Sequence, residues 1–72
     1  MRAFTDDDGA RWQAFLGKES WGTLVLLFSP AGEGDSRTSI LAAETAFAAN
    51  AEVDALSDDD LRDRLRTSRP WP

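Results

Sequence analysis

From Leu24 to Phe28 the chain reads Leu-Val-Leu-Leu-Phe, an apolar run without a polar break. Gly22 precedes it, and Pro30, Gly32 and Gly34 follow. A short apolar run bounded by turn formers is the pattern of a strand buried on both faces. The run is too short for a core helix and far short of the about 20 residues that cross a bilayer. The reading is a central strand over Thr23–Ser29. Successive side chains of a strand alternate between faces, so Leu24, Leu26 and Phe28 share one side and Val25 and Leu27 the other. Whatever fold forms must deal with two apolar faces.

Length limits how it can do so. The 72 residues make one small domain, residues 1–72. A domain of this size buries only about 60% of the surface of its unfolded chain. Small chains compensate with disulfides, a metal, regular packing or a partner. The sequence has no Cys and no His. Disulfides and thiolate sites are thereby excluded, and the commonest general base and transition-metal ligand is missing. Packing and a partner remain.

A hydrophobic share of 42%, with three Trp and four Phe, suits a folded domain. The net charge of −5 argues against a nucleic-acid partner, since phosphate binding needs a concentrated positive field. The segment from Met1 to Asp8 lacks the apolar core of a signal peptide, and no transmembrane run follows. A cytoplasmic setting without membrane attachment is expected. Abundant Arg and Ala, with Lys18 the lone lysine, match the composition of proteins from GC-rich bacteria.

Around the central strand the chain reads as a meander. Arg2–Thr5 is a short strand, and Asp6-Asp7-Asp8-Gly9 carries the Asp-Gly signal of a hairpin turn. Ala10–Leu16 alternates as a second strand. Trp12, Ala14 and Leu16 fall on one face, with Phe4 able to pack near Trp12; Arg11, Gln13 and Phe15 fall on the other. Gly17 to Gly22 forms the turn into the central strand, and Pro30 to Asp35 a plain loop. That loop lacks the Gly-Lys-Ser/Thr ending of a phosphate cradle, and Glu33 and Asp35 would repel phosphate. Ser36–Leu41 reads as a fourth strand, at an edge.

From Ala42 to Leu56 the residues are helix formers without Gly or Pro. Ala43, Ala46, Phe47, Val53 and Leu56 define the inward stripe, so Phe47 is assigned to the core with Trp12. Ser57 followed by Asp58-Asp59-Asp60 marks a second helix start, with Asp60 completing a capping box and Leu56 and Leu61 forming a hydrophobic staple. Arg62, Arg64, Arg66 and Arg69 occupy its later turns. Asp58–Arg62 and Asp60–Arg64 are spaced as i, i+4 ion pairs. Pro70 ends this helix and leaves Trp71 and Pro72 as a tail. The expected fold is α+β: an antiparallel meander of three to four strands followed by two C-terminal helices packed on one face.

Catalytic and metal readings find little support. The two Asp triplets lack the alternating spacing of a calcium loop and read as a turn and a helix start. Serines at 20, 29, 36 and 39 have no His to activate them, and every acidic residue falls in a turn, a loop or a helix surface. So small a chain cannot enclose a sizeable pocket and keep a core. No enzyme activity, cofactor, metal or small-molecule substrate is expected. The arginines of the last helix are cancelled by its aspartates and read as a solvated face.

The aromatics point to a protein partner. Phe15, Trp21 and Trp71 fall on an outer sheet face, a turn tip and a tail, where Trp21 and Trp71 either fold back over the core or meet a partner. Aromatic residues are enriched at the energetic centres of interfaces. Two helices can cover only one face of the central strand. The candidate partner-binding residues are therefore Phe15, Trp21, Val25, Leu27 and Trp71, and the functional expectation is an interaction module or accessory subunit that forms a homo-oligomer through an apolar sheet face. The alternative is an acidic regulator that occupies a basic surface of a larger machine as a nucleic-acid mimic would.

Overall fold

The computed structural model describes residues 2–71. The chain runs through β1 (Arg2–Thr5), β2 (Arg11–Lys18), β3 (Leu24–Pro30), β4 (Arg37–Ile40), α1 (Ala46–Ala55), α2 (Asp58–Arg66) and β5 (Arg69–Pro70). The strands form one open antiparallel sheet in the order β1-β2-β3-β4-β5, with both helices following the first four strands. The α+β meander expected from the sequence is what the chain adopts, with one strand more.

The fifth strand corrects the reading of the C-terminus. Arg37 pairs with Pro70 and Thr38 with Arg69, and the Trp71 N–H donates to Ser36 O at 2.9 Å. Proline is tolerated because β5 is an edge strand, where its missing N–H faces away from the ladder. Trp71 is half-buried and anchored by its backbone, so it is no free tail; Pro72 lies outside the described residues.

The first hairpin turns as its Asp-Gly signal implies. The Gly9 N–H donates to Asp6 O at 3.1 Å, with Gly9 at φ 86°. Asp6 holds the turn from inside: Oδ1 accepts from the Asp8 and Ala10 N–H groups, and Oδ2 accepts from Trp12 Nε1 at 2.9 Å. β2 runs on to Lys18, taking in Gly17, which the sequence assigned to a turn. The reason lies on β3. A Cβ at Gly17 would fall 2.7 Å from Leu27 Cγ, so the bare backbone makes room for the Leu27 side chain.

The core lies between the sheet and the helices. Phe4, Ala14, Leu26, Phe28, Leu41, Ala49, Val53 and Leu61 form one cluster, with Trp12, Leu16, Leu24 and Leu56 packed at its margin. Phe4 stands opposite Trp12, and its ring meets that of Phe28 edge-on at 5.9 Å. The Leu24–Leu26–Phe28 side of β3 is thus the covered side.

The first helix is shorter than its composition suggested. It begins at Ala46, where Thr45 Oγ1 accepts from the Ala48 N–H at 3.1 Å. Before that, Leu41 is held to β3 through its N–H to Leu24 O. Ala49 and Val53, one turn apart, face the sheet. Phe47 precedes Ala49 by two residues, roughly 200° round the helix. It is 87% exposed, which overturns its assignment to the core. Alanine at the contact lets α1 approach the sheet closely.

The second helix starts as the sequence specified. Ser57 Oγ accepts from the Asp60 N–H at 3.1 Å, and Asp60 Oδ2 accepts from the Ser57 N–H at 3.0 Å. The expected i, i+4 ion pairs do not form. Arg62 pairs with Asp59 at 2.7 Å and donates to Thr5 O; Arg64 pairs with Glu52 at 3.0 Å and donates to Ile40 O. The Thr5 and Ile40 carbonyls draw both side chains towards the sheet, so that Arg62 pairs at i, i+3 with Asp59 of its own helix and Arg64 reaches Glu52 of α1.

Candidate interaction surface

The strand register places the described strand residues of the uncovered face. Phe15, Leu27, Thr38 and Arg69 form one cross-strand row; Gly17, Val25 and Ile40 form the next, and Ala3, Gln13 and Ser29 the row on the other side. Directly opposed side chains in an antiparallel pair share a face. The outer face therefore has an apolar middle, Phe15 with Leu27 and Ile40, flanked by Gln13, Ser29, Arg11 and Arg69. An apolar centre with a polar rim is the anatomy of a protein interface.

The five residues singled out from the sequence fare differently. Phe15 and Leu27 stand opposite each other on the outer face, as the alternation implied, but both are half-buried and less exposed than expected. Val25 belongs to the same face but is fully buried. A Cβ at Gly17 would touch both Leu27 and Val25, so Leu27 lies down over the glycine and beside Val25. Val25 thus offers no area for contact. Trp21, at the tip of the β2–β3 turn, is 76% exposed. Trp71 is half-buried at the β5 margin, where it bounds a shallow groove of about 350 Å³ with Glu19, Thr38, Ile40 and Arg69.

Ile40, 56% exposed, was not singled out, although it stands opposite Val25 on the uncovered face. Alternation along the fourth strand, once registered on the third, would have found it. Trp21, Ile40 and the exposed Phe47 all belong to the end of the molecule where β3 begins, β4 finishes and α1 starts.

Charge is distributed unevenly around this face. Of the 13 acidic residues, Glu19 alone continues an outer-face strand ladder, its N–H bonded to Thr23 O at 2.9 Å. The remainder lie in the Asp6–Asp8 turn, the loop holding Glu33 and Asp35, and the helical layer from Glu44 to Asp63. Arg11 and Arg69 are the cations of the outer face.

General acid–base chemistry calls for a carboxylate pKa raised towards neutrality, and Asp6 and Asp60 are shifted the other way. Asp6 is held below the ordinary aspartate range, chiefly by the Trp12 indole N–H. Asp60 is lowered chiefly by the Ser57 backbone N–H and then by its hydroxyl. Among the described residues no group of three acidic side chains is placed to hold a metal ion. No helix among them is long and apolar enough to cross a membrane. Comparison with family models, with curated proteins and with solved structures finds no match.

Proposed function

We propose that this chain is a small cytoplasmic protein–protein interaction module that associates with a second copy of itself through the outer face of its sheet. One observation carries the reading: both helices pack on the Leu26–Phe28 side, and among the described residues no helix or loop lies over Phe15, Leu27 and Ile40 on the opposite side. A rim of Arg11, Gln13, Ser29 and Arg69 surrounds them. The cysteine-free sequence suits a reducing compartment. The reading as an acidic regulator of a basic surface has weaker support. Arg2, Arg62, Arg64 and Arg66 engage Asp58, Asp59, Glu52, Asp7 and Asp63, which dilutes the negative field of the helical layer.

The test is Phe15→Glu, read by solution mass and far-ultraviolet circular dichroism. The parent is expected to run above its monomer mass, and the variant as a folded monomer. A parent that stays monomeric at high concentration, with a variant that unfolds, would assign Phe15 to the core and end the interface reading.

A further inference from the structure

In an antiparallel pair, residues alternate between turning both backbone groups towards the neighbouring strand and turning them away. The Asp6 N–H donates to Ala10 O, so Phe4 also turns towards β2, while Ala3 and Thr5 turn outwards. On the other side of the sheet the Leu41 N–H donates to Leu24 O, so Ser36, Thr38 and Ile40 turn away from β3. β5 takes the first two, through the Trp71 N–H on Ser36 O and the Arg69–Thr38 pair, and reaches no further. Pro70, its outward residue, has no N–H to offer another strand. Thr5 and Ile40 thus hold carbonyls that the sheet itself does not use, one at each edge. α2 meets both: Arg62 Nε donates to Thr5 O at 2.6 Å and Arg64 Nη1 to Ile40 O at 3.3 Å. We propose that α2 is a strap sealing both open edges of the sheet, with Arg62 and Arg64 as its clasps. Opening the clasps lets second copies of the chain add by their strands.

Position along the helix explains how one element serves two edges. Arg62 and Arg64 are two residues apart, roughly 200° round α2, so they leave it on opposite sides. α2 packs on β1 and β4, while α1 packs on β2 and β3 between them. Neither arginine is a loose surface cation. Their side chains are 27% and 30% exposed, and each also holds a carboxylate, Asp59 at 2.7 Å and Glu52 at 3.0 Å. A guanidinium presents its donors in a fixed fork, so it serves a carbonyl and a carboxylate together. The need for a seal is physical. A strand edge with unpaired backbone groups is a template for another chain, and proteins blunt it with short strands, proline and charged side chains. All three devices are present: β1 has four residues, β5 has two and includes Pro70, and the arginines cover the carbonyls that remain. The two edges are unlike. Once open, they would join β1 of one copy to the β4 margin of the next, a head-to-tail contact that does not close. Such growth differs in kind from the closed pairing of sheet faces proposed above.

The experiment follows light scattering and thioflavin T fluorescence for the parent, Arg62→Met, Arg64→Met, the double variant, and a control carrying Asp59→Asn with Glu52→Gln. Methionine keeps an apolar stem and a good helix propensity while removing the guanidinium. The control removes the two carboxylate charges and leaves both arginines on their carbonyls. Each protein is held the same interval below its own thermal midpoint, so that differences in stability do not decide the result. The double variant is expected to grow far beyond the parent's mass, with a rising thioflavin T signal. Each single variant is expected to grow more slowly, and the control to stay at the parent's mass. Each single variant keeps one clasp, so a folded protein remains to be read if the double variant does not fold. Folded arginine variants that hold the parent's mass would overturn the proposal. A control that grows as fast as the double variant would overturn it too, because loss of the ion pairs would then be the cause. The parent's own mass is the baseline, so this test stands apart from that of the sheet face.

Discussion

Thr38 shows how much a single polar atom can reveal. Its Oγ1 is buried without a hydrogen-bond partner, in the row between Leu27 and Arg69. A buried hydroxyl left unbonded costs about 1–3 kcal/mol, and a methyl group of the same shape carries no such penalty. Thr38→Val should therefore hold or raise the thermal midpoint. A drop of several degrees would show that the hydroxyl is bonded in solution. This penalty was not readable from the sequence, because Thr38 looked like an ordinary β-branched strand residue. Arg2 makes the converse point. Its guanidinium donates to Val53 O at 3.2 Å and Leu56 O at 2.7 Å and pairs with Asp58 at 3.2 Å. It thus ties β1 to the end of α1 and the start of α2, where a cation and an anion respectively suit the helix dipoles. Residues more than fifty positions apart have no local pattern that announces such contacts.

At the scale of elements, what could be read in advance was whatever local chemistry decides. The Asp-Gly turn and the Ser57–Asp60 capping box are made by neighbours in sequence, and both form as read. β5 was missed because Pro70 reads as a terminator; only the open edge of β4 makes it a strand. Phe47 was misplaced because alanines all round α1 give its apolar stripe no direction, and the close fit of Ala49 decides which side packs. The outer-face candidates were half readable: alternation found Phe15 and Leu27, but the burial of Val25 depends on Leu27 crossing Gly17. The two locally coded elements share an acid sensitivity. Asp6 and Asp60 have folded pKa values below those of the unfolded chain. Each therefore contributes stability that is fully present above the ordinary aspartate range and is lost as pH falls below about 4. The thermal midpoint should drop between pH 6 and pH 3, and Asp6→Asn with Asp60→Asn should flatten that drop. An unchanged slope in the double variant would place the acid-sensitive groups elsewhere.

Across the whole molecule, five of the six aspartates in the two triplets are structural fastenings, and the response to divalent cations follows from that. Asp6 is committed to two backbone N–H groups and the Trp12 indole, and Asp7 pairs with Arg66 at 2.8 Å. In the second triplet Asp58 pairs with Arg2, Asp59 with Arg62, and Asp60 closes the cap of α2. Ca²⁺ needs six to eight oxygen ligands and Mg²⁺ a near-octahedral set. Gathering such a set from either triplet would break an ion pair, a turn or a cap for every carboxylate recruited except Asp8. A cation that binds the folded state raises its stability in proportion to the logarithm of concentration over dissociation constant. With no ready-made acidic cluster among the described residues, millimolar Ca²⁺ or Mg²⁺ should leave the thermal midpoint within a degree or so of its metal-free value. A rise of many degrees, reversed by EDTA, would mean that one triplet rearranges around the ion. The acidic turn or the helix start would then have to be reassigned as a metal centre.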